Sequence, residues 1–147
     1  MKIAISVEST NDLTSEILNQ YDIQVIPFQI NLADLSFKDG EYSTDEMFEL
    51  VDKYGVLPKT NAINEYEYTE YFSELRKTYD EVVHIGLSSG ITSTLGNAKR
   101  AMNNVDGVYV VDSKSLSTGI GLLALYGREL AEQGKSGKEI AEILDAR

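Results

Sequence analysis

Residues 81–99, EVVHIGLSSGITSTLGNAK, constrain the fold of this chain more than any other stretch. Residues 82–87 read as a buried strand, the next few as a turn dense in hydroxyls and glycine, and the rest as the opening of a helix. The backbone N–H groups at such a helix start have no intrahelical partners, and the helix dipole adds positive potential there. A strand that ends in small polar residues and feeds a helix therefore favours an anion at the junction. Ser88, Ser89, Thr92, Ser93 and Thr94 add side-chain donors at the same place. The expected occupant is a carboxylate or phosphate head group.

The flanking chain supplies a sheet for this unit. Residues 2–7 form a predicted first strand, with Glu8-Ser9-Thr10-Asn11 as its turn and a helix over 12–21. A second strand is expected over 23–32, with Pro27 marking an edge or an irregularity. Lys38-Asp39-Gly40 has hairpin-turn chemistry, which predicts a short hairpin excursion near residues 36–42. Ser43 with Glu46, Asn64 with Glu67, and Ser136 with Glu139 have the spacing of capping boxes. The first two open helices that carry Met47, Leu50, Val51 and Tyr54, then Tyr68, Tyr71, Phe72 and Leu75. Residues 55–62 read as a loop. A further strand spans 108–111, a helix runs over 117–133 with Gly134 as its C-cap, and a last helix follows. Strands alternating with helices predict a three-layer α/β/α fold with a mainly parallel sheet of about four strands, ordered 2-1-3-4. No repeat or linker divides the chain, so residues 1–147 are expected to form one domain.

Composition removes several classes of function. A net charge of −11 with no Lys/Arg cluster argues against nucleic acid and against an anionic membrane surface. A small anion stays possible, because a helix N-terminus is a local field and net charge a global one. Without cysteine there is no disulfide, zinc-thiolate or thiol chemistry. The N-terminus turns polar too soon for a signal peptide, and no apolar run approaches the ~20 residues needed to span a bilayer. The cytoplasm is the expected location. Asp34, Asp39, Asp45 and Asp112 lack ligand spacing, so no metal is expected. No P-loop is present, and no cofactor is expected.

In open α/β sheets, ligands sit beyond the carboxyl ends of the strands. Glu8-Ser9-Thr10, Ser88-Ser89-Gly90 and Asp112-Ser113 all fall at such ends, and a loop with Thr60 could reach the same edge. Each hydroxyl taken singly could be only a helix cap. Capping, however, needs one hydroxyl per helix, and Thr92, Ser93 and Thr94 crowd one start. Gly86-x-Ser88-x-Gly90 also matches the nucleophile-elbow pattern of acyl hydrolases. His84, the one histidine, lies roughly 13 Å from Ser88 along an extended strand, beyond the reach of a base. It reads as a structural strand histidine near a helix. A hydrolase would need its base from another domain.

Glu8-Ser9, Lys59-Thr60-Asn61, Ser88-Ser89-x-Ile91-Thr92-Ser93-Thr94, and Asp112-Ser113-Lys114 with Gly119 and Gly121 together resemble the DegV family of bacterial fatty-acid-binding proteins. The resemblance runs along essentially the whole chain. It implies a non-enzymatic carrier that holds one long-chain fatty acid and presents its carboxylate to a separate fatty acid kinase. The implied carboxylate contacts are Thr60 and Thr92, with backbone donors near Ser93 and Thr94. Ser9, Ser88, Ser89, Asn61, Asp112 and Ser113 are the implied supporting residues. The chain departs from the family pattern at Glu8 (usually Asp), Asn61 (usually Ser), Ser93 (usually Gly) and Leu95 (often Tyr). The family also carries a C-terminal lobe that closes over the acyl chain. The resemblance stops before that lobe, which implies an isolated N-terminal lobe with half of the binding site. The alternatives are the Ser88 hydrolase with its base from a missing domain, and a ligand-free interaction module.

Overall fold

Ile3–Glu8 (β1) has all six of its residues buried and forms the middle of the fold. It was located in a computed structural model that describes residues 2–8, 15–27, 29–38, 43–57, 59–61, 63–86, 94–113 and 117–145. Parallel strands flank β1, with Ile23–Ile26 (β2) on one side and Glu81–Gly86 (β6) on the other. Val108–Asp112 (β7) pairs in parallel with β6, so the sheet runs β2-β1-β6-β7. This is the predicted 2-1-3-4 order. The connection out of β1 leads one way, to β2, whereas β6 and β7 lie on its other side. The strand order therefore reverses between β1 and β6, the position at which open α/β sheets take ligands.

Strand register assigns the two faces. Ser6 pairs with His84 and Ile5 with Val83. With a side-chain period of two, Ile3, Ile5 and Val7 point to one face, and Ala4, Ser6 and Glu8 to the other. The first face packs on Ser117–Glu132 (α5) and Gly137–Asp145 (α6). There, Ile5 and Leu144 approach to 3.5 Å of the position a Gly127 methyl group would take, so α5 packs closely on the sheet and on α6. The second face packs on Glu65–Arg76 (α3) and Thr94–Met102 (α4), with Tyr68 and Phe72 wholly buried against it.

Residues 23–32 do not make one strand. β2 ends at Ile26, and Gln29–Leu32 (β3) joins a separate antiparallel sheet with Leu35–Lys38 (β4) and Lys59–Asn61 (β5), ordered β4-β3-β5. Pro27 lies at the break, where its missing N–H cannot continue a ladder. A hairpin is present, formed by β3 and β4, and it turns at Ala33-Asp34, with Ala33 at φ +52°. Asp39 and Gly40 lie outside the described residues. The segment expected as a loop over 55–62 contributes β5, a strand too short for periodicity to reveal.

The caps agree with their sequence signatures. Ser43 and Glu46 form a reciprocal box at the start of Thr44–Tyr54 (α2), with bonds of 3.2 and 3.1 Å. Ser136 and Glu139 do the same for α6 at 3.2 and 3.0 Å. Asn64 accepts the Glu67 N–H at 2.8 Å and opens α3. The first helix, Ser15–Gln20 (α1), is the described part of the predicted 12–21 helix.

Candidate functional site

The carboxyl ends of the central strands form a rim at the reversal point. Glu8 ends β1, Gly86 ends β6, and Asp112 ends β7 opposite Gly86. The Ser113 N–H donates to the Gly86 carbonyl at 3.1 Å, which extends the pairing one step past β7. α4 begins at Thr94 beside this rim. A methyl group on Gly86 would stand 2.9 Å from Leu95 Cδ1 and 3.5 and 3.6 Å from the two Glu8 carboxylate oxygens. The Glu8 carboxylate thus lies over the Gly86 α-carbon, next to the first turn of α4. Only glycine leaves that space open.

Beneath the rim lies a chain of polar side chains. His84 Nε2 is bonded to Glu8 Oε2, and His84 Nδ1 lies 2.9 Å from Ser6 Oγ. Ser6 Oγ is in turn 2.5 Å from the Tyr71 hydroxyl. Ser6, Glu8 and His84 are all 0% exposed. The rings of Tyr68 and Phe72 meet the His84 ring edge-on at 5.4 and 5.5 Å, and Tyr71 does so at 6.5 Å. The Tyr68 hydroxyl is buried outside strict hydrogen-bond geometry, with Glu8 as its polar neighbour. Burial raises the Tyr68 phenol far above its usual range, and the Glu8 charge raises it further. Burial likewise raises Tyr71, against a lowering contribution from its bond to Ser6.

Tyr71 also lines an open groove of about 430 Å³, shared with Ile26, Pro27 and the carboxylates Glu67, Glu70 and Glu74. That rim of negative charge makes the groove a poor place for an anion. Among the described residues no group of His, Asp and Glu could hold a metal ion. Among them, too, no helix is long and apolar enough to cross a membrane.

The predicted site residues divide into three sets. Asp112 and Ser113 stand at the rim, half-buried and buried respectively. Thr60 and Asn61 are placed by their backbone on β5, opposite Ile30 and Gln29, and Thr94 by its backbone as the first residue of α4. A direct link joins these segments, since Asn97 of α4 donates from Nδ2 to the Ile63 carbonyl at 2.8 Å. The chain just past β5 is thereby tied to the second turn of α4. Ser9, Ser88, Ser89, Thr92 and Ser93 lie outside the described residues, as does Gly90 of the elbow pattern.

Sequence reasoning missed the Glu8–His84 couple. Glu8 belongs to β1 rather than to the turn after it, and its side chain points into the layer under α3. A signal was present: a central strand covered on both faces should be apolar on both, yet Ser6 and Glu8 place polar groups two residues apart on one face. His84 is the expected buried strand histidine. Both of its ring nitrogens are engaged by β1 side chains, so the elbow gains no base from it.

Comparison with known proteins assigns the chain to a family. The model described as "Uncharacterised protein, DegV family" matches residues 2–147. A DegV domain-containing protein of Caldanaerobacter subterraneus is 34% identical over 145 residues, which are 97% of this chain and 52% of that protein. The crystal structure of DegV from Bacillus subtilis, described as a fatty acid binding protein, superposes with a TM-score of 0.86 at 32% identity, covering 99% of this chain and 53% of that one. A Thermotoga maritima protein, whose structure is described as revealing fatty acid binding function, gives 0.84 at 32% identity over 99% and 55%. The chain thus spans about half the length of these relatives. From the match along residues 2–147, the chain belongs to the DegV family.

Proposed function

We propose that residues 1–147 are the N-terminal lobe of a carrier that binds a long-chain fatty acid and presents its carboxylate to a fatty acid kinase in the cytoplasm. The observation that carries this reading is the superposition on the Bacillus subtilis fatty acid binding protein at 32% identity and a TM-score of 0.86. The strand-order reversal supports it, because Gly86, Asp112, Ser113 and the start of α4 meet where a sheet of this order takes ligands. Thr60 and Thr92 are the proposed carboxylate contacts, with Ser93 and Thr94 contributing backbone donors. Ser9, Asn61, Ser88 and Ser89 line the same edge in this reading.

Magnitudes divide the labour between tail and head. Burying a CH₂ is worth about 0.8 kcal/mol, so a ~16-carbon tail could gross roughly 12 kcal/mol before ordering costs. Hydrogen bonds to a carboxylate contribute about 1.5–3 kcal/mol each. The tail sets affinity, and the head-group residues set which end is presented. The lobe alone should accordingly bind weakly.

Mass spectrometry of lipid carried through purification of the longest natural form of the protein tests the reading, with a fatty acid in near-stoichiometric amount as the expected result. Sub-micromolar palmitate binding by the 147-residue chain would contradict the division between lobes. The kinase role is tested by ATP-dependent formation of an acyl phosphate on the bound lipid, and no phosphoryl transfer with a matched kinase would remove it.

A further inference from the structure

We infer that the Glu8–His84 couple is a positioning element of the head-group site, holding the end of β1 against Gly86 and the first turn of α4. This rests on the fatty-acid reading above. Three observations point to it. The first concerns energy: a buried carboxylate–imidazole pair is a poor stabiliser, because desolvation offsets its attraction, and apolar residues often serve as well. Its presence in the middle of an otherwise apolar sheet is therefore not explained by stability.

The second concerns place. The couple occupies the two strands between which the order reverses, and Glu8 is the last residue of its strand. The third concerns fit. The space above the Gly86 α-carbon is bordered by the Glu8 carboxylate, 3.5 and 3.6 Å from where a methyl group would stand, and more tightly by Leu95 of α4 at 2.9 Å. Glu8 thus packs against the last residue of β6, beside the start of the helix that follows it. His84 in turn holds the carboxylate there, and Ser6 and Tyr71 fix the ring. Glu8 itself need not touch the ligand. It sets the geometry of the backbone donors that do.

The test uses the longest natural form of the protein and compares palmitic acid with hexadecanol, which share a tail and differ in the head. In the unmodified protein the acid should bind more tightly than the alcohol. Glu8→Gln keeps the size and removes a carboxylate that would itself repel a bound anion, so a direct electrostatic effect would strengthen acid binding. Loss of positioning should instead weaken it by about tenfold and leave the alcohol unchanged. A purely structural role would weaken both alike. An unchanged acid-to-alcohol ratio in a folded Glu8→Gln protein overturns the inference and leaves the fatty-acid reading intact. Failure of the unmodified protein to bind either probe removes that reading, and the inference with it. His84 is the one histidine in the chain, so its ring ¹⁵N resonances report on the couple without assignment. Palmitic acid should shift them in the unmodified protein, and hexadecanol should shift them less. Should Glu8→Gln not fold, this comparison decides alone: ring resonances unmoved by saturating palmitic acid sink the inference.

Discussion

His84 and Glu8 meet diagonally across two parallel strands. His84 stands in register with Ser6, and Glu8 lies two residues further along the same face. Neither residue has any exposed surface. Removing one partner therefore strands the other in a dry, aromatic-lined site. Glu8→Ala is expected to cost about 3–5 kcal/mol, a fall in melting temperature of roughly 10 °C. The paired replacement Glu8→Leu with His84→Leu should recover most of that loss, because no uncompensated polar group is left. A double-mutant cycle by thermal or urea denaturation measures this, and additive single effects would show that the two groups do not interact.

Tyr68 makes the opposite expectation. Its hydroxyl is buried outside strict hydrogen-bond geometry, with Glu8 as its polar neighbour, while its ring packs at 5.6 Å on Phe72 and 5.4 Å on His84. Tyr68→Phe keeps the ring contacts and deletes the desolvated hydroxyl. The variant should be as stable as the parent or more so, by up to about 1 kcal/mol. A loss of more than that in a urea titration would mean that the hydroxyl has a protein partner.

Tyrosine ionisation gives a pH expectation with a definite sign. Tyr68 and Tyr71 hold their phenol protons more tightly in the folded protein than in the unfolded chain, chiefly through burial. Their contribution is fully present below the unfolded pKa of about 10 and is lost as pH rises above it. Each then removes about 1.4 kcal/mol of stability per pH unit, because the unfolded chain ionises and the folded one does not. Absorbance near 295 nm should show most of the nine tyrosines titrating first and these two only on unfolding. Smooth ionisation of all nine in the folded protein would contradict the burial assignment.

The main sheet and its helices were legible because each strand has a distinct apolar run and each helix a distinct start. Ser43 and Ser136 announce their helices through side chains three residues apart, and the structure closes both boxes. Local chemistry of that kind survives folding unchanged. The small sheet was less legible. β3 continues the apolar run of β2, and only Pro27 marks the place where the chain leaves one sheet for the other. β5 has three residues, too few for a period to register. The tight turn uses Ala33 at positive φ, which no sequence rule favours, while Asp39-Gly40 offered stronger turn chemistry a few residues on.

The polar cluster beneath the rim was not legible. Assigning hydroxyls to one sheet edge needs only strand order. The Glu8–His84 couple needs register as well. Residues 76 apart in the chain meet only when Ser6 falls opposite His84, and nothing local in either strand specifies that alignment. Reading Glu8 as part of a turn removed it from the face on which its partner lies.

Gly86 is the position where packing and site geometry are tested together. A methyl group there would come within 2.9 Å of Leu95 Cδ1 and 3.5 Å of the nearer Glu8 oxygen. Leu95 is 1% exposed, so its side chain has little room to retreat without moving the start of α4. Gly86→Ala is therefore expected to cost about 1–3 kcal/mol through overpacking. Its second effect distinguishes it from an ordinary core substitution. Displacing Leu95 or Glu8 shifts one side of the hydroxyl-rich turn, so palmitic acid binding should weaken by more than hexadecanol binding does. Leu95→Ala combined with Gly86→Ala vacates the contested space and should restore part of the acid preference. If the double variant binds acid no better than Gly86→Ala alone, Leu95 is not what holds the turn in place. Glu8 would then be the neighbour that matters.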